Sequence, residues 1–426
     1  MLTLLAAVVV LATLQATGLA RFFGVPSNQP LPARIAIIDE SGGLATMDGH
    51  GGSIVPHPVE GVTFQFPAWS PDGSRVAAIG NETDAGGVYV FDTRGEVAAA
   101  PAVIYRSAEQ TPFYLYWTLD SRQVTFLTTE SEGLALRIAP ADGTAPGAII
   151  RNGAPLYWDW AGLDHVLVNV GGGGPDAFLG EVGLDGAADP PTEQRPGVFR
   201  APVVAQDGSH RAYVIATAGG SEAIVVQSRD NTVRHEIPIP GNAAIGFEPE
   251  GGSIAFIGPS VPGPSPGGLP IGPLRLVDVA TGTVRTLLDG SIVAFFWSPD
   301  SRTIATLRIP SPGEEDVALA GPLVAGAAAR PLAATSPGFS LRLGFVDVSS
   351  GQVRSTQEVR VSELFVLQVL PFFDQYALSH RFWSPDSAGI LLPVVEDDGV
   401  EVIVVVPADG SDPRRIAPGR MGAWSP

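Results

Sequence analysis

The stretch "FFWSPDSRTIATL" (295–307) reads as a strand, a tight turn and a second strand, and variants of it return along the chain. "AWSPDGSRVAAIG" carries its Trp at 69, "YWTLDSRQVTFLT" at 117, "DWAGLDHVLVNV" at 160, "RFWSPDSAGILLP" at 383, and a last "AWSP" at 424. Two weaker copies, "VVAQDGSHRAYVIA" and "GFEPEGGSIAFIG", put Val204 and Phe247 in the Trp position. Successive separations are 48, 43, 44, 43, 50, 86 and 41 residues, so the step of 86 contains insertions. A period of this kind constrains the fold strongly, because one such unit cannot bury both its faces without a neighbour.

Each copy continues with an apolar strand, a second strand closed by a Gly-containing turn ("GVYVFDTRG", "LALRIAPADG", "LRLVDVATG", "LGFVDVSSG", "VIVVVPADG"), and a short third one. Four strands per unit of this length is the period of a β-propeller blade. The expectation is therefore an all-β chain with a single β-propeller over residues 34–426. It has eight four-stranded blades, or seven if the two weak central copies merge. The 51 Gly and 39 Pro suit many short strands broken by turns. "RIAIIDESGGLATMDGHGGSIVPHP" supplies strands with no preceding Trp strand, and "GAWSP" supplies a Trp strand with no blade. Pairing the two chain ends would complete one sheet and remove open edges.

Trp69, Trp117, Trp160, Trp297, Trp383 and Trp424 are expected to wedge between neighbouring blades at the ends of innermost strands. Asp72, Asp120, Asp300 and Asp386 are expected to accept backbone N–H bonds in the turns that follow. These repeated residues carry architecture: one enzyme has no need of its catalytic group copied around a ring.

The run Trp-Ser-Pro-Asp-Gly, an apolar strand, then a strand ending in Asp-Gly resembles the TolB-type propeller repeat, a relative of the WD repeat in shape. The resemblance is strong at Trp69, Trp297 and Trp383 and degenerate between 150 and 260. It implies a fold and leaves function open, since similar propellers serve as periplasmic scaffolds and as lids of prolyl-oligopeptidase-like hydrolases. TolB carries a separate domain before a six-bladed ring, whereas this chain has an apolar segment and a linker there.

Residues 1–20, "MLTLLAAVVVLATLQATGLA", read as an apolar helix, either a signal peptide cleaved after Ala20 or a membrane anchor, followed by a linker over 21–33. Export, to the periplasm, the outer surface or the medium, is the expectation. The formal net charge of -19, with all 25 basic residues arginine, disfavours nucleic acid and favours a cationic or neutral ligand or an envelope or extracellular protein. Cysteine is absent, which excludes disulfides, thiolate zinc sites and a cysteine nucleophile. No cofactor or metal is expected.

The chemistry-bearing motifs are weak. In Gly263-Pro264-Ser265-Pro266-Gly267 the residue after Ser lacks the N–H that an oxyanion hole needs. His50 and His57 match no metal-ligand spacing. Long insertions after "GGSIAFIG" and "SRTIATLRI", and a third before Trp383, are expected on one side of one face, where Glu82, Asp84, Glu130, Glu132, Asp176, Glu222, Glu314, Glu315, Asp316, Glu396, Asp397 and Asp398 also gather. Within the third insertion Leu364, Phe365, Leu367, Val369, Leu370, Phe372, Phe373 and Tyr376 are too apolar to stand in water. They cover the channel mouth or form a binding patch. The expectation is a noncatalytic binding scaffold with Leu364, Phe365, Phe372, Phe373, Tyr376, His380, Arg200 and Arg420 as binding candidates. The alternative is a channel-mouth hydrolase or lyase acting on glycans or peptides, with Arg200, His380 and Arg420 at inner-strand starts.

Overall fold

The alternating and apolar runs become antiparallel strands almost wherever the repeat places them. A computed structural model describes residues 33–426 except 96, 173–175, 198–199, 262–268 and 311–338. The apolar segment 1–20, the linker up to 32, the Gly263 to Gly267 string and Glu314, Glu315 and Asp316 thus lie outside the described residues. Among the described residues no helix is long and apolar enough to cross a membrane.

Thr63–Trp69, Arg75–Asn81, Gly86–Asp92 and Ala102–Ser107 form one four-stranded sheet. Pro112–Trp117, Gln123–Glu130, Gly133–Pro140 and Ala148–Asn152 form the next. Leu156–Trp160 opens a three-stranded sheet and Val203–Val204 another of four. A ten-stranded run extends from Ala244–Phe247 to Arg414–Pro418. Its long strand Val284–Trp297 serves two units: residues 284 to 288 pair back with Gly272–Asp278, and Ile292 to Trp297 pair on with Thr303–Arg308. Gly290, at φ 127°, supplies a left-handed backbone between the two halves. Val204 and Phe247 belong to separate sheets, each the first strand of its own run.

The chain ends share a sheet. Met421–Trp424 pairs antiparallel with Arg34–Ile38, Ile35 opposite Trp424 and Ile38 opposite Met421, and Leu44–Asp48 lies on the other side. The Ser425 N–H donates to Arg34 O at 2.8 Å, and the Arg34 N–H to Ser425 Oγ at 2.9 Å.

Four of the six repeat Trp side chains join successive units in one recurring way, whereas the Trp160 and Trp424 indole N–H groups have no partner among the described residues. The Trp69 indole N–H donates to Ala423 O, Trp117 to Ala68 O, Trp297 to Gly246 O and Trp383 to Phe296 O, at 2.9 to 3.2 Å. Each acceptor immediately precedes the Trp-position residue of the unit before, which fixes Phe247 as a member of that series and makes the 86-residue step a single unit. Trp69, Trp117, Trp160, Trp383 and Trp424 are buried, and Trp297 is partly so.

The turns after them are built from the motif's polar residues. The hydroxyls of Ser70, Thr118, Ser298 and Ser384 donate to Asp72, Asp120, Asp300 and Asp386 at 2.6 to 2.8 Å. The same carboxylates accept the N–H of Ser74, Arg122, Arg302 and Ala388. These bonds hold Asp72, Asp300 and Asp386 below the usual carboxylate range against the opposing cost of burial.

Candidate functional site

The insertion before Trp383 is where the structure concentrates unusual chemistry. After Val353–Val361 the chain makes a π-helical turn, Phe365–Val369, a 3-10 turn, Leu370–Phe372, and a short α-helix, Phe373–Ser379. Pro371 cannot donate an N–H within this run, in keeping with its irregular start.

The α-helix packs against the first strands of several units. Tyr376 stacks on Phe66 with ring centroids 5.2 Å apart and meets Tyr114 edge-on at 5.4 Å. Phe373 packs edge-on against Phe295 and Phe296, and Phe372 against Tyr157. The Tyr114 hydroxyl lies 3.0 Å from Gln375 O and 2.9 Å from Ser379 Oγ. Four first strands, those carrying Phe66, Tyr114, Tyr157 and Phe295, therefore converge on one segment. Among the binding candidates Phe365, Phe373, Tyr376, His380 and Arg200 are buried, and Leu364 is partly buried on the core. Their burial differs from an exposed patch because the helix turns its aromatic side inward. What it leaves outside is Leu367, 63% exposed, and Phe372, 42% exposed.

Arg200 is tied into the same assembly, its guanidinium donating to Asn242 Oδ1 at 2.6 Å and its carbonyl accepting from Asn169. His380 shares a bond with Ser379 Oγ through Nδ1 at 2.7 Å. Its Nε2 is buried without a well-aligned partner among the described residues, and burial, opposed by the Phe66 backbone, pushes the imidazole down to about 4. Both carboxylate oxygens of Asp374 are likewise buried and lack a well-aligned hydrogen bond among the described residues; burial raises that group, and the nearby Arg200 charge and the backbone N–H groups of Gln375 and Ala201 oppose it.

Arg420 stands apart from these, on the rim of a groove of about 440 Å³. Its guanidinium faces Glu401 at 3.3 Å. Glu363, Leu364, Leu367 and Gln368 form one wall of the groove, with Thr63 and Gln65 among the residues opposite. Two separately named candidates, Leu364 and Arg420, are thus brought to one groove; Arg200 and His380 lie elsewhere, in the buried contacts of the helix.

Four of the nine described acidic residues of the long connections face an arginine. Glu82 accepts from Arg106, Glu130 from Arg137 and Glu396 from Arg415, while Asp397 faces Arg360 at 3.7 Å. His57 is buried against Thr46 at 3.0 Å, and His50 bonds Arg414. Among the described residues no three His, Cys, Asp or Glu side chains gather in a way that could hold a metal ion.

Sequence reasoning passed over Tyr114, Tyr116, Asp159 and Arg381. Asp159 is fully enclosed, its carboxylate accepting from the N–H groups of Val204 and Trp160 at 2.8 Å, with the Tyr116 hydroxyl 3.4 Å away. Burial pushes it up to about 6. The signal available was one of contrast: "YWDW" and "HRFW" place a charged residue in first strands that are otherwise apolar or small.

No family model and no curated protein matches this chain. Solved structures do. Dihydro-heme d1 dehydrogenase NirN in complex with DHE matches with a TM-score of 0.53 at 14% identity, over 92% of this chain and 75% of that one. AztD from Citrobacter koseri matches with a TM-score of 0.51 at 15% identity, over 92% of this chain and 97% of that one. TolB from Acinetobacter baumannii is similar over 78% of this chain and 64% of that chain, at 15% identity and a TM-score of 0.39. At these identities the likeness is one of fold, that of a β-propeller built from successive antiparallel sheets.

Proposed function

We propose that the chain is an exported, noncatalytic propeller of eight blades, closed by its two ends, that works as a binding scaffold in the cell envelope or outside the cell. Eight Trp-position strands, the shared sheet of Arg34–Ile38 and Met421–Trp424, and the indole bonds between successive units support the ring. The observation that carries the binding role is the inserted helix. It fills the axis at one face with Phe373 and Tyr376, and turns Leu367 outward beside a groove that holds the Arg420 and Glu401 pair. An apolar knob next to a charged, partly apolar groove suits a protein partner with a complementary hydrophobic anchor and a neutral or cationic rim.

A photo-crosslinking residue placed at Leu367 of the full chain tests this. It is expected to capture a discrete partner that the same residue at Val284, on an outer strand, does not capture. With the crosslinking residue moved to Glu363, on the same wall of the groove, Leu367→Glu should abolish the product without lowering the melting temperature, because the Leu367 side chain is already mostly in solvent. Equal labelling at Leu367 and Val284 would remove the face from consideration. Export is read separately, by N-terminal sequencing of the mature protein; a product that begins at Arg21 supports cleavage.

A further inference from the structure

The corner turn of the Trp297 unit, from Asp300 to Thr303, lines a cavity of about 660 Å³ at which three units meet. Arg285 comes from the half of Val284–Trp297 that pairs back with Gly272–Asp278. Arg354 comes from Val353–Val361, and Ser387 from the corner turn of the Trp383 unit. Bonds between units fix this wall: the Asp300 N–H donates to Ser387 Oγ at 3.1 Å, and the Arg285 guanidinium donates to Val348 O.

Formal charge in the wall cancels, because Asp300, Asp347 and Asp409 stand with the three arginines, but hydrogen-bonding capacity does not. Each carboxylate is engaged by its own turn. Asp300 accepts from the Ser298 hydroxyl and the Arg302 N–H, and Asp409 from the N–H and hydroxyl of Ser411. Asp347 accepts from the Ser349 and Ser350 hydroxyls and from Arg354. The donors are left over. The Arg302 guanidinium has no hydrogen bond or ion pair among the described residues, whereas Arg122, in the same place of the Trp117 turn, faces Asp120 at 3.7 Å. Arg285 and Arg354 each engage one terminal nitrogen only.

Thr303 adds a buried donor. It is 7% exposed and lines the cavity, yet its hydroxyl has no hydrogen bond among the described residues, unlike those of Ser298 and Ser301 beside it. A hydroxyl buried in this way costs free energy unless a group in the cavity completes it. We propose that the cavity binds a small organic anion, held through a carboxylate or phosphate group by Arg302, with Arg285, Arg354 and Thr303 as further donors. The guanidinium fork matches two oxygens of either group. The volume falls within the range of about 300–1,000 Å³ usual for small-molecule sites. A cation would meet engaged acceptors and idle donors, so the sign of the ligand follows from the bonding pattern. The cavity shares no lining residue with the groove at Leu367, and its fate does not depend on the partner proposed there.

Isothermal titration calorimetry on the full chain at fixed ionic strength tests this, with citrate, glycerol phosphate and chloride as probes. Citrate or glycerol phosphate should bind saturably at one site per chain, and chloride should not. Arg302→Gln should weaken the effective probe by about tenfold or more, and Thr303→Val, which keeps the shape and removes the hydroxyl, by several-fold. Both variants should melt no lower than the parent without ligand, because neither side chain carries a polar bond within the protein. Phenylglyoxal labelling read by peptide mapping needs no substitution: the effective probe should protect Arg302 and leave Arg122 reactive. No saturable binding of citrate or glycerol phosphate, an affinity unchanged in Arg302→Gln, or equal protection of Arg122 would each overturn the proposal. The tighter of the two organic probes identifies the group that the cavity takes.

Discussion

Ser121, Ser301 and Ser387 adopt left-handed backbone at φ 63°, 60° and 59°, the place where Gly73 stands in its own unit. A side chain there costs about 1 kcal/mol relative to glycine. The hydroxyls offset it, because Ser121 Oγ accepts from Asp72 N–H, Ser301 Oγ from Glu250 N–H and Ser387 Oγ from Asp300 N–H, each in the unit before. Ser387→Ala keeps the backbone cost and loses the bond, so denaturant unfolding should find it less stable by about 1 kcal/mol, while Ser387→Gly stays close to the parent. If the two variants behave alike, the hydroxyl does not join the units. His380 gives a pH dependence of definite sign. Its folded value, about 4, lies below the unfolded value of 6.5, so its contribution is complete above pH 6.5 and is lost as pH falls toward 4. Replacing it with Phe should flatten that part of the acid limb by at most about 3 kcal/mol, measured by unfolding at several pH values. Asp374 works in the opposite sense: its raised value favours the folded state at low pH and opposes it as pH rises. The Trp, Ser and Asp of the corners were legible in the sequence because they recur in register. Asp159 and Arg381 occur once each, so no period marks them. Only the meeting of strands far apart in sequence encloses Asp159, between Tyr116 and Val204.

At the scale of elements, the apolar segment from Val361 to Tyr376 announced that it must be covered, but helical spacing cannot say by what. Its partners, Phe66, Tyr114, Tyr157 and Phe295, come from four strands whose common neighbourhood is a property of the tertiary fold. For the same reason deletion of residues 361 to 376, an obvious way to probe binding, would strip the cover from those aromatic rings, and loss of partner capture would then report unfolding as readily as a lost contact. The closing strand is a sharper element to test. Removing residues 421 to 426 takes away the strand beside Arg34–Ile38, the carbonyl that accepts the Trp69 indole N–H, and the Ser425 bonds to Arg34. An internal strand becomes an open edge. The truncated chain should melt at a clearly lower temperature and aggregate, as seen by light scattering during heating. A melting curve that superimposes on that of the full chain would show that these contacts contribute little.

For the whole molecule, stability rests on each unit covering its neighbours, so where the chain is cut matters less than whether every sheet stays complete. The formal charge of -19 is spread over a surface on which many of the acids meet an arginine, and that leaves backbone closure, more than surface charge, as the feature that holds the ends together. A circular permutant isolates that feature. Trp424 lies opposite Ile35 in an antiparallel pair, and the Ser425 N–H bonds Arg34 O, so a linker of about four residues can join Pro426 to Ala33 as a hairpin turn. New termini fit the turn at Glu60 and Gly61, which precedes Thr63–Trp69. In that arrangement the sheet now assembled from both ends becomes continuous in sequence, and closure passes to contacts between sheets, including the Trp69 indole bond to Ala423 O. The permutant is expected to fold with the circular dichroism spectrum of the natural order. It should unfold at a lower temperature, because no strand shared by the two termini fastens the ring any longer. If it unfolds at the same temperature, the shared sheet is not what secures the closure; if it fails to fold while the uncut linked chain folds, the ring depends on the connection at Glu60 itself.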